Sequence, residues 1–289
     1  MIDQTSSKTR EISQLLADAR QQLVSISDTP ALDSQVLLAH LLDRPRAWLL
    51  AHGEYRLSTL ELQRWEHALA LLIAGEPLPY ILGRREFYGL EFTVTPQVLI
   101  PRPETEMLVA AALSWLQERP GPRLAADIGT GSGCIGISLA VHQTNLSVLG
   151  CDLSLQALRI AGVNASRHAV ADRFFLLQSD LLPPISRRLD LICANLPYIP
   201  TATLARLAVF GREPTLALDG GPDGLLVIRR MFRQSQQCLA PGGLMLLEID
   251  ASHGQAAQEL AYTSLPGANV ELHADLAGLD RMLWIETAP

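Results

Sequence analysis

Apolar residues recur along this chain with two different periods, and the change of period divides it. Over the first 80 residues the spacing is helical: Ile12, Leu15, Leu16, Ala19 and Leu23 share one helix face. Thr29-Pro30 supplies an N-cap and a proline at the first helical position, opening a second helix through Leu32, Val36, Leu37 and Leu41. A short helix is expected from Ala47 to His52, closed by Gly53. Ser58-Thr59-Leu60-Glu61 has the capping-box pattern and starts a fourth helix that ends near Gly75. Amphipathic helices in this number predict a small all-α bundle over residues 1–78.

Gly75-Glu76-Pro77-Leu78-Pro79 interrupts that pattern, and the aromatic and β-branched residues around Gly89 predict a β-hairpin within a linker, 79–100. Beyond Pro101, short apolar runs alternate with helical stretches. Strands are expected near 124–128, 147–152, 174–179, 189–194, 242–248, 268–273 and 281–287, and helices at about 103–117, 133–143, 154–168, 223–238 and 252–263. That alternation predicts an α/β domain over 101–289, with a mostly parallel seven-stranded sheet covered by helices on both faces.

Composition narrows what such a chain does. Its 289 residues are 48% hydrophobic, yet no apolar run is long enough to span a bilayer. Met1-Ile2-Asp3-Gln4-Thr5 lacks the basic-then-apolar order of a secretory signal, so a cytoplasmic protein without membrane attachment is expected. Cys134, Cys151, Cys193 and Cys238 are scattered and form no C-x-x-C pair, which disfavours a zinc site or a disulfide framework; no metal is expected. The net charge is −7, with 9 Lys and Arg against 10 Asp and Glu in residues 1–85, and 14 against 20 beyond them. Nucleic acid is disfavoured as the substrate, because phosphate contacts need a basic surface.

Candidate chemistry gathers at predicted strand ends. Asp127-Ile128-Gly129-Thr130-Gly131-Ser132-Gly133 joins the first strand of the sheet to the next helix, where glycines let backbone approach a ligand closely. Asp152 ends the next strand, placed to accept both hydroxyls of a ribose, and Asp180 ends the third, beside the place of an adenine. Gly131-x-Gly133-x-x-Gly136 formally matches the dinucleotide fingerprint. The acidic strand end and Gly-x-Gly-x-Gly suit instead a ligand with an ammonium group and no pyrophosphate, and no hydride-transfer constellation follows. S-adenosylmethionine is the expected cofactor.

Asn195-Leu196-Pro197-Tyr198 follows the apolar run 189–194. The Asn195 side-chain oxygen can accept one hydrogen of an –NH2 group and the Leu196 carbonyl the other. Pro197 holds Leu196 extended, and Tyr198 offers a ring face to a flat group. An ordinary proline turn is the plain alternative for these four residues alone. His40, His67, Trp48, Trp65, Trp115, Cys151 and Cys193 read as packing or surface residues, whereas Glu104, Glu106 and Glu213 fit either helix-terminal or ligand contacts.

Taken together, these motifs resemble the HemK/PrmC family of protein-(glutamine-N5) methyltransferases, and the resemblance runs the length of the chain. It includes Pro79-Tyr80-Ile81-Leu82-Gly83, Phe87-Tyr88-Gly89, Val98-Leu99-Ile100-Pro101-Arg102-Pro103-Glu104-Thr105-Glu106, Glu213-Pro214, Ala217-Leu218 and Gly220-Gly221-x-Asp223-Gly224-Leu225. The resemblance implies a class I, Rossmann-like S-adenosylmethionine-dependent methyltransferase that modifies the Gly-Gly-Gln glutamine of peptide chain release factors. The helical domain is then the docking module, and the enzyme is expected to be a monomer. Cofactor contacts are implied at Asp127, Gly129, Thr130, Gly131, Ser132, Gly133, Asp152, Leu153, Asp180, Leu181 and Asn195. The target amide falls to Asn195, Leu196, Pro197, Tyr198 and Glu104. The family usually has proline where this chain has Leu196; the implied contact is a main-chain carbonyl, which leucine also supplies. Two other readings share these residues: an N6-adenine methyltransferase acting on a flipped base, and a binding protein that keeps the fold without turnover.

Overall fold

The computed structural model describes residues 9–185 and 187–289, so the segment read for a secretory signal lies outside the described residues. The chain divides between Gly83 and Arg84 into two units. In the first, α1 (Ile12–Leu23), α2 (Pro30–Leu42), α3 (Arg46–Ala51) and α4 (Thr59–Ile73) follow the apolar periodicity, and a fifth short helix, α5 (Leu78–Leu82), completes the unit. Ile12, Leu15, Leu37, Leu38 and Trp65 form its buried core. The capping box is present: Ser58 Oγ accepts the Glu61 N–H, and Glu61 Oε2 accepts the Ser58 N–H at 2.8 Å. Thr29 occupies the N-cap of α2 but makes no side-chain cap; its hydroxyl donates to Asp33 Oδ1 at 3.1 Å instead.

The expected linker is divided between the units. Its first turn forms α5, whereas β1 (Arg84–Phe87) and β2 (Leu90–Thr93) form an antiparallel hairpin belonging to the second. Tyr88 and Gly89 both have positive φ, 51° and 72°, the backbone that a two-residue hairpin turn requires. Phe87 and Phe92 are buried in the core of the second unit, so the hairpin is anchored by apolar burial.

The rest of that unit runs α6 (Glu106–Gln117), β3 (Arg123–Ile128), α7 (Cys134–His142), β4 (Leu146–Asp152), α8 (Leu155–Arg167), β5 (Phe174–Gln178), β6 (Leu189–Ala194), α9 (Thr201–Leu204), α10 (Leu226–Cys238), β7 (Leu239–Glu248), α11 (Gly254–Ser264), β8 (Asn269–Ala274) and β9 (Asp280–Glu286). The sheet order is β5-β4-β3-β6-β7-β9-β8, parallel except for β9, which is antiparallel to both neighbours. Strands β3, β6 and β7 are buried on both faces, which explains why they read as nearly continuous apolar runs. Because β4 and β5 extend the sheet to one side of β3 and β6 to the other, the β3/β6 boundary is the topological switch point, where a crevice opens at the strand C-termini.

One buried polar side chain links the hairpin to that crevice. Asn164 of α8 is fully buried; its Oδ1 accepts the Thr93 N–H at 2.8 Å, and its Nδ2 donates to the carbonyls of Thr93 and Ser132 at 3.0 and 2.8 Å. Asn164→Ala leaves the buried Ser132 carbonyl and the half-buried Thr93 backbone groups without this partner. It should lower the unfolding free energy by about 2–4 kcal/mol, read from the urea midpoint at an unchanged m-value.

Candidate functional site

Strand pairing sets the geometry of the crevice. Ile128 of β3 lies opposite Ala194 of β6, so the residues that follow, Gly129 and Asn195, leave the sheet side by side. A Cβ on Gly129 would stand 3.4 Å from Leu196 Cδ2 and 3.6 Å from the Asn195 carbonyl, filling the gap between the two loops. Gly129, Gly131 and Gly133 have φ of 70°, 55° and 83°, a left-handed backbone that favours glycine. Gly133 is also crowded: its Cβ would lie 2.6 Å from Ile137 Cδ1.

Asp127 holds this loop from within. Its Oδ2 accepts the Thr130 hydroxyl at 2.6 Å and the Gly136 N–H at 2.9 Å, while Oδ1 is buried without a partner among the described residues. Burial pushes its carboxyl up to about 6 despite those two bonds. The structure therefore turns Asp127 into the loop rather than outward from it. Ser132 is likewise buried. Asp152 sits at the rim of the crevice: Oδ2 accepts the Gly131 N–H at 2.9 Å, Oδ1 accepts the Ser154 N–H at 2.8 Å, and each oxygen keeps a lone pair for another donor. Burial raises its carboxyl as well. Leu153 beside it is exposed. Asp180 is exposed and paired with Arg230. Leu181, at φ 64°, is a strained non-glycine position in an apolar cluster that also holds Leu196.

The segment after β6 is held from three directions. Leu196 is buried beside the glycine loop and serves as an apolar anchor there. The Leu196 carbonyl and Asn195 Oδ1 accept no hydrogen bond among the described residues, whereas Asn195 Nδ2 donates to Thr105 Oγ1 at 3.0 Å. Thr105 Oγ1 lies 2.5 Å from Glu248 Oε2, and the Tyr198 hydroxyl donates to Glu248 Oε1 at 3.2 Å. Glu248 closes β7, fully buried; burial raises its carboxyl, and the Thr105 and Tyr198 hydroxyls and Arg281 oppose that shift. Burial, with Glu248 adding to it, pushes the Tyr198 phenol well up. On the third side, Gly220 and Gly224 pack against the Tyr198 backbone so closely that a Cβ on either would collide with it.

Thr105 and Glu248 did not emerge from the sequence as site residues. Glu248 carries the same signal as Asp127 and Asp152, an acid that ends a buried apolar strand. The undecided acids now have partners: Glu106 Oε1 accepts the Tyr88 N–H at 3.0 Å, and buried Glu213 accepts the Ile100 N–H at 3.0 Å while pairing with Arg102. Both brace backbone. Glu104 stays exposed. Trp65 and Trp115 are buried, His67 is exposed, and Cys151 and Cys193 are buried thiols with raised pKa values, in line with structural roles.

The residues at the switch point fit a sulfonium nucleoside: the glycine loop leaves a cradle that a Cβ would fill, and Asp152 has lone pairs for ribose hydroxyls. A sheet of this order, with a glycine loop after β3, defines a class I methyltransferase. The PrmC N-terminal domain family matches residues 14–83, and the Methyltransferase small domain family matches 107–208. Release factor glutamine methyltransferase of Moorella thermoacetica is 42% identical over 271 residues, 93% of this chain and 95% of its own. That of Bordetella pertussis is 40% identical, over 91% of this chain and 97% of its own. The chain belongs to the release factor glutamine methyltransferase family. In fold alone it also resembles a T. thermophilus 16S rRNA methyltransferase solved in complex with AdoMet and guanosine, with a TM-score of 0.51 and 18% identity over 71% of this chain and 49% of the other.

Two outcomes test this geometry. Between pH 4 and 6 the folded state holds the Asp127 proton and the unfolded chain does not, so this group makes stability fall as pH rises. Asp127→Asn removes that slope: its unfolding free energy should gain on wild type across this range by up to about 3 kcal/mol, read from denaturation at stepped pH. Gly224→Ala forces a Cβ into the Tyr198 carbonyl and the His253 ring at φ 75°. It should cost roughly 2–4 kcal/mol, visible as a lowered melting temperature.

Proposed function

We propose that this chain transfers the methyl group of S-adenosylmethionine to the side-chain amide nitrogen of the Gly-Gly-Gln glutamine of peptide chain release factors. The observation that carries this reading is the pair of acceptors beside the glycine loop, Asn195 Oδ1 and the Leu196 carbonyl, neither of which accepts a hydrogen bond among the described residues. A primary amide has two hydrogens on its nitrogen, and two acceptors match them. The family membership of the whole chain supports the same substrate.

When bound, the cofactor supplies an electrophilic methyl carbon whose bond to a positive sulfur breaks as the sulfur becomes neutral. The chain positions and polarises. By accepting both amide hydrogens, Asn195 and Leu196 draw the nitrogen lone pair out of conjugation and stabilise the positive charge that develops on it. Pro197 and the buried Leu196 side chain fix the carbonyl that does half of this work, and the Tyr198 ring backs the planar amide. Asp152, Leu153, Asp180, Leu181 and the loop Gly129–Gly133 hold the cofactor, with Asp127 setting the loop from inside; alignment of nitrogen and methyl carbon supplies much of the acceleration. Glu104, exposed beside Thr105, borders the target glutamine. The surplus proton leaves to water.

Residues 9–83 serve as the docking module for the release factor, a reading supported by the separate fold of that unit and its match to the PrmC N-terminal domain. All four cysteines are free thiols, which suits the cytoplasm, and among the described residues no helix is long and apolar enough to cross a membrane. One chain carries glycine loop and clamp together, so a monomer suffices.

The test is transfer of labelled methyl to a cognate release factor and to the same factor with its loop glutamine changed to alanine. Label should enter the intact factor only. Asn195→Ala should lower turnover by at least roughly 100-fold while cofactor affinity, measured by calorimetry, largely survives. Label entering DNA or RNA instead would carry the case to the adenine reading, and cofactor binding without any transfer to the binding-protein reading.

A further inference from the structure

An asparagine amide is nearly symmetric in shape, and packing alone hardly distinguishes its oxygen from its nitrogen. Its chemistry here depends on that distinction. With Nδ2 turned to the substrate, Asn195 would oppose one –NH2 group with another and no hydrogen bond would form. We propose that Thr105, anchored by Glu248, is a positioning residue that keeps the oxygen of Asn195 facing the substrate amide. The inference rests on Asn195 acting as the acceptor described above.

The protons of three groups fix the orientation of Asn195. Glu248, as a carboxylate, offers acceptors only; one oxygen takes the Tyr198 hydroxyl at 3.2 Å, and the other lies 2.5 Å from Thr105 Oγ1. The single Thr105 hydroxyl hydrogen is therefore committed to Glu248. Only lone pairs remain on Thr105 Oγ1 toward Asn195, 3.0 Å away, and a lone pair requires a donor. Asn195 must present Nδ2 to Thr105, which turns Oδ1 out of the network. Thr105 and Glu248 are both fully buried, so water does not compete for these bonds, and a reversed amide would set Oδ1 against the Thr105 lone pairs. The same carboxylate fixes the Tyr198 hydroxyl, so one buried acid orients both polar ends of the clamp.

Thr105→Val keeps the shape and removes the hydroxyl, and Thr105→Ser keeps the hydroxyl. The full-length enzyme, a release factor substrate and labelled S-adenosylmethionine give kcat and KM, with cofactor affinity from calorimetry. Thr105→Val should lower kcat roughly 10- to 100-fold, with cofactor affinity within about twofold of wild type, and Thr105→Ser should return kcat to within about threefold. In the Asn195→Ala background, adding Thr105→Val should change turnover by less than about twofold, because the hydroxyl acts through Asn195. A Thr105→Val enzyme within threefold of wild type while Asn195→Ala is inactive would overturn the proposal and leave the reading of Asn195 standing. So would an equal loss from Thr105→Val in both backgrounds, or a serine variant no better than valine. Wild-type turnover in Asn195→Ala would remove the reading of Asn195 itself, and the proposal with it.

Discussion

Everything at this site depends on the parallel pairing of β3 with β6. Backbone hydrogen bonds between two fully buried strands fix which residues leave the sheet together, and they release Gly129 and Asn195 side by side. A slip of one residue would turn every side chain of a strand to the opposite face and part the two loops. Apolar burial on both faces of β3, β6 and β7 makes such a slip costly, so sheet-core packing sets the accuracy of the crevice.

Around that crevice the polar interior is organised by acids with backbone or hydroxyl partners. Asp127 ties the glycine loop, Asp152 fastens its middle, Glu213 holds the backbone at Ile100, and Glu248 gathers Thr105 and Tyr198. Each holds its partners with short, directed bonds, the condition on which buried carboxylates are tolerated, and Asp127 Oδ1 alone of these is buried without a partner among the described residues. The glycines serve the complementary purpose: Gly129 lets the two loops approach, and Gly224 lets a third segment close on Tyr198.

Much of this was legible in the chain because it is local. The capping box at Ser58 needs only Glu61, and all seven sheet strands lie within a few residues of the apolar runs that announced them. The glycine loop and the Asn195–Tyr198 segment stand out in the chain because each is a run of neighbours in sequence. Thr29 read less well, since Asp33 drew its hydroxyl away from the backbone. Thr105 and Glu248 stayed hidden for a different reason. They are 143 residues apart, and nothing in either neighbourhood says that the fold will bring them within a hydrogen bond. The hairpin reads as a linker because its aromatic residues mark strands without saying which core receives them: Phe87 and Phe92 meet edge-on, and their other partners belong to the sheet domain.

Sequence separation also sets an order of assembly. The bonds behind Asn195 close spans of 90 residues between Thr105 and Asn195 and 143 between Thr105 and Glu248, with a further span of 113 between Ile100 and Glu213. Contacts of such long range reward the chain only after the strands between them have docked. The glycine loop, by contrast, is closed by residues three and nine positions apart at Asp127. A chain emerging in order from its N-terminus thus can close the turn at Asp127 early, and it forms the Thr105–Glu248 bond only once β7 is in place.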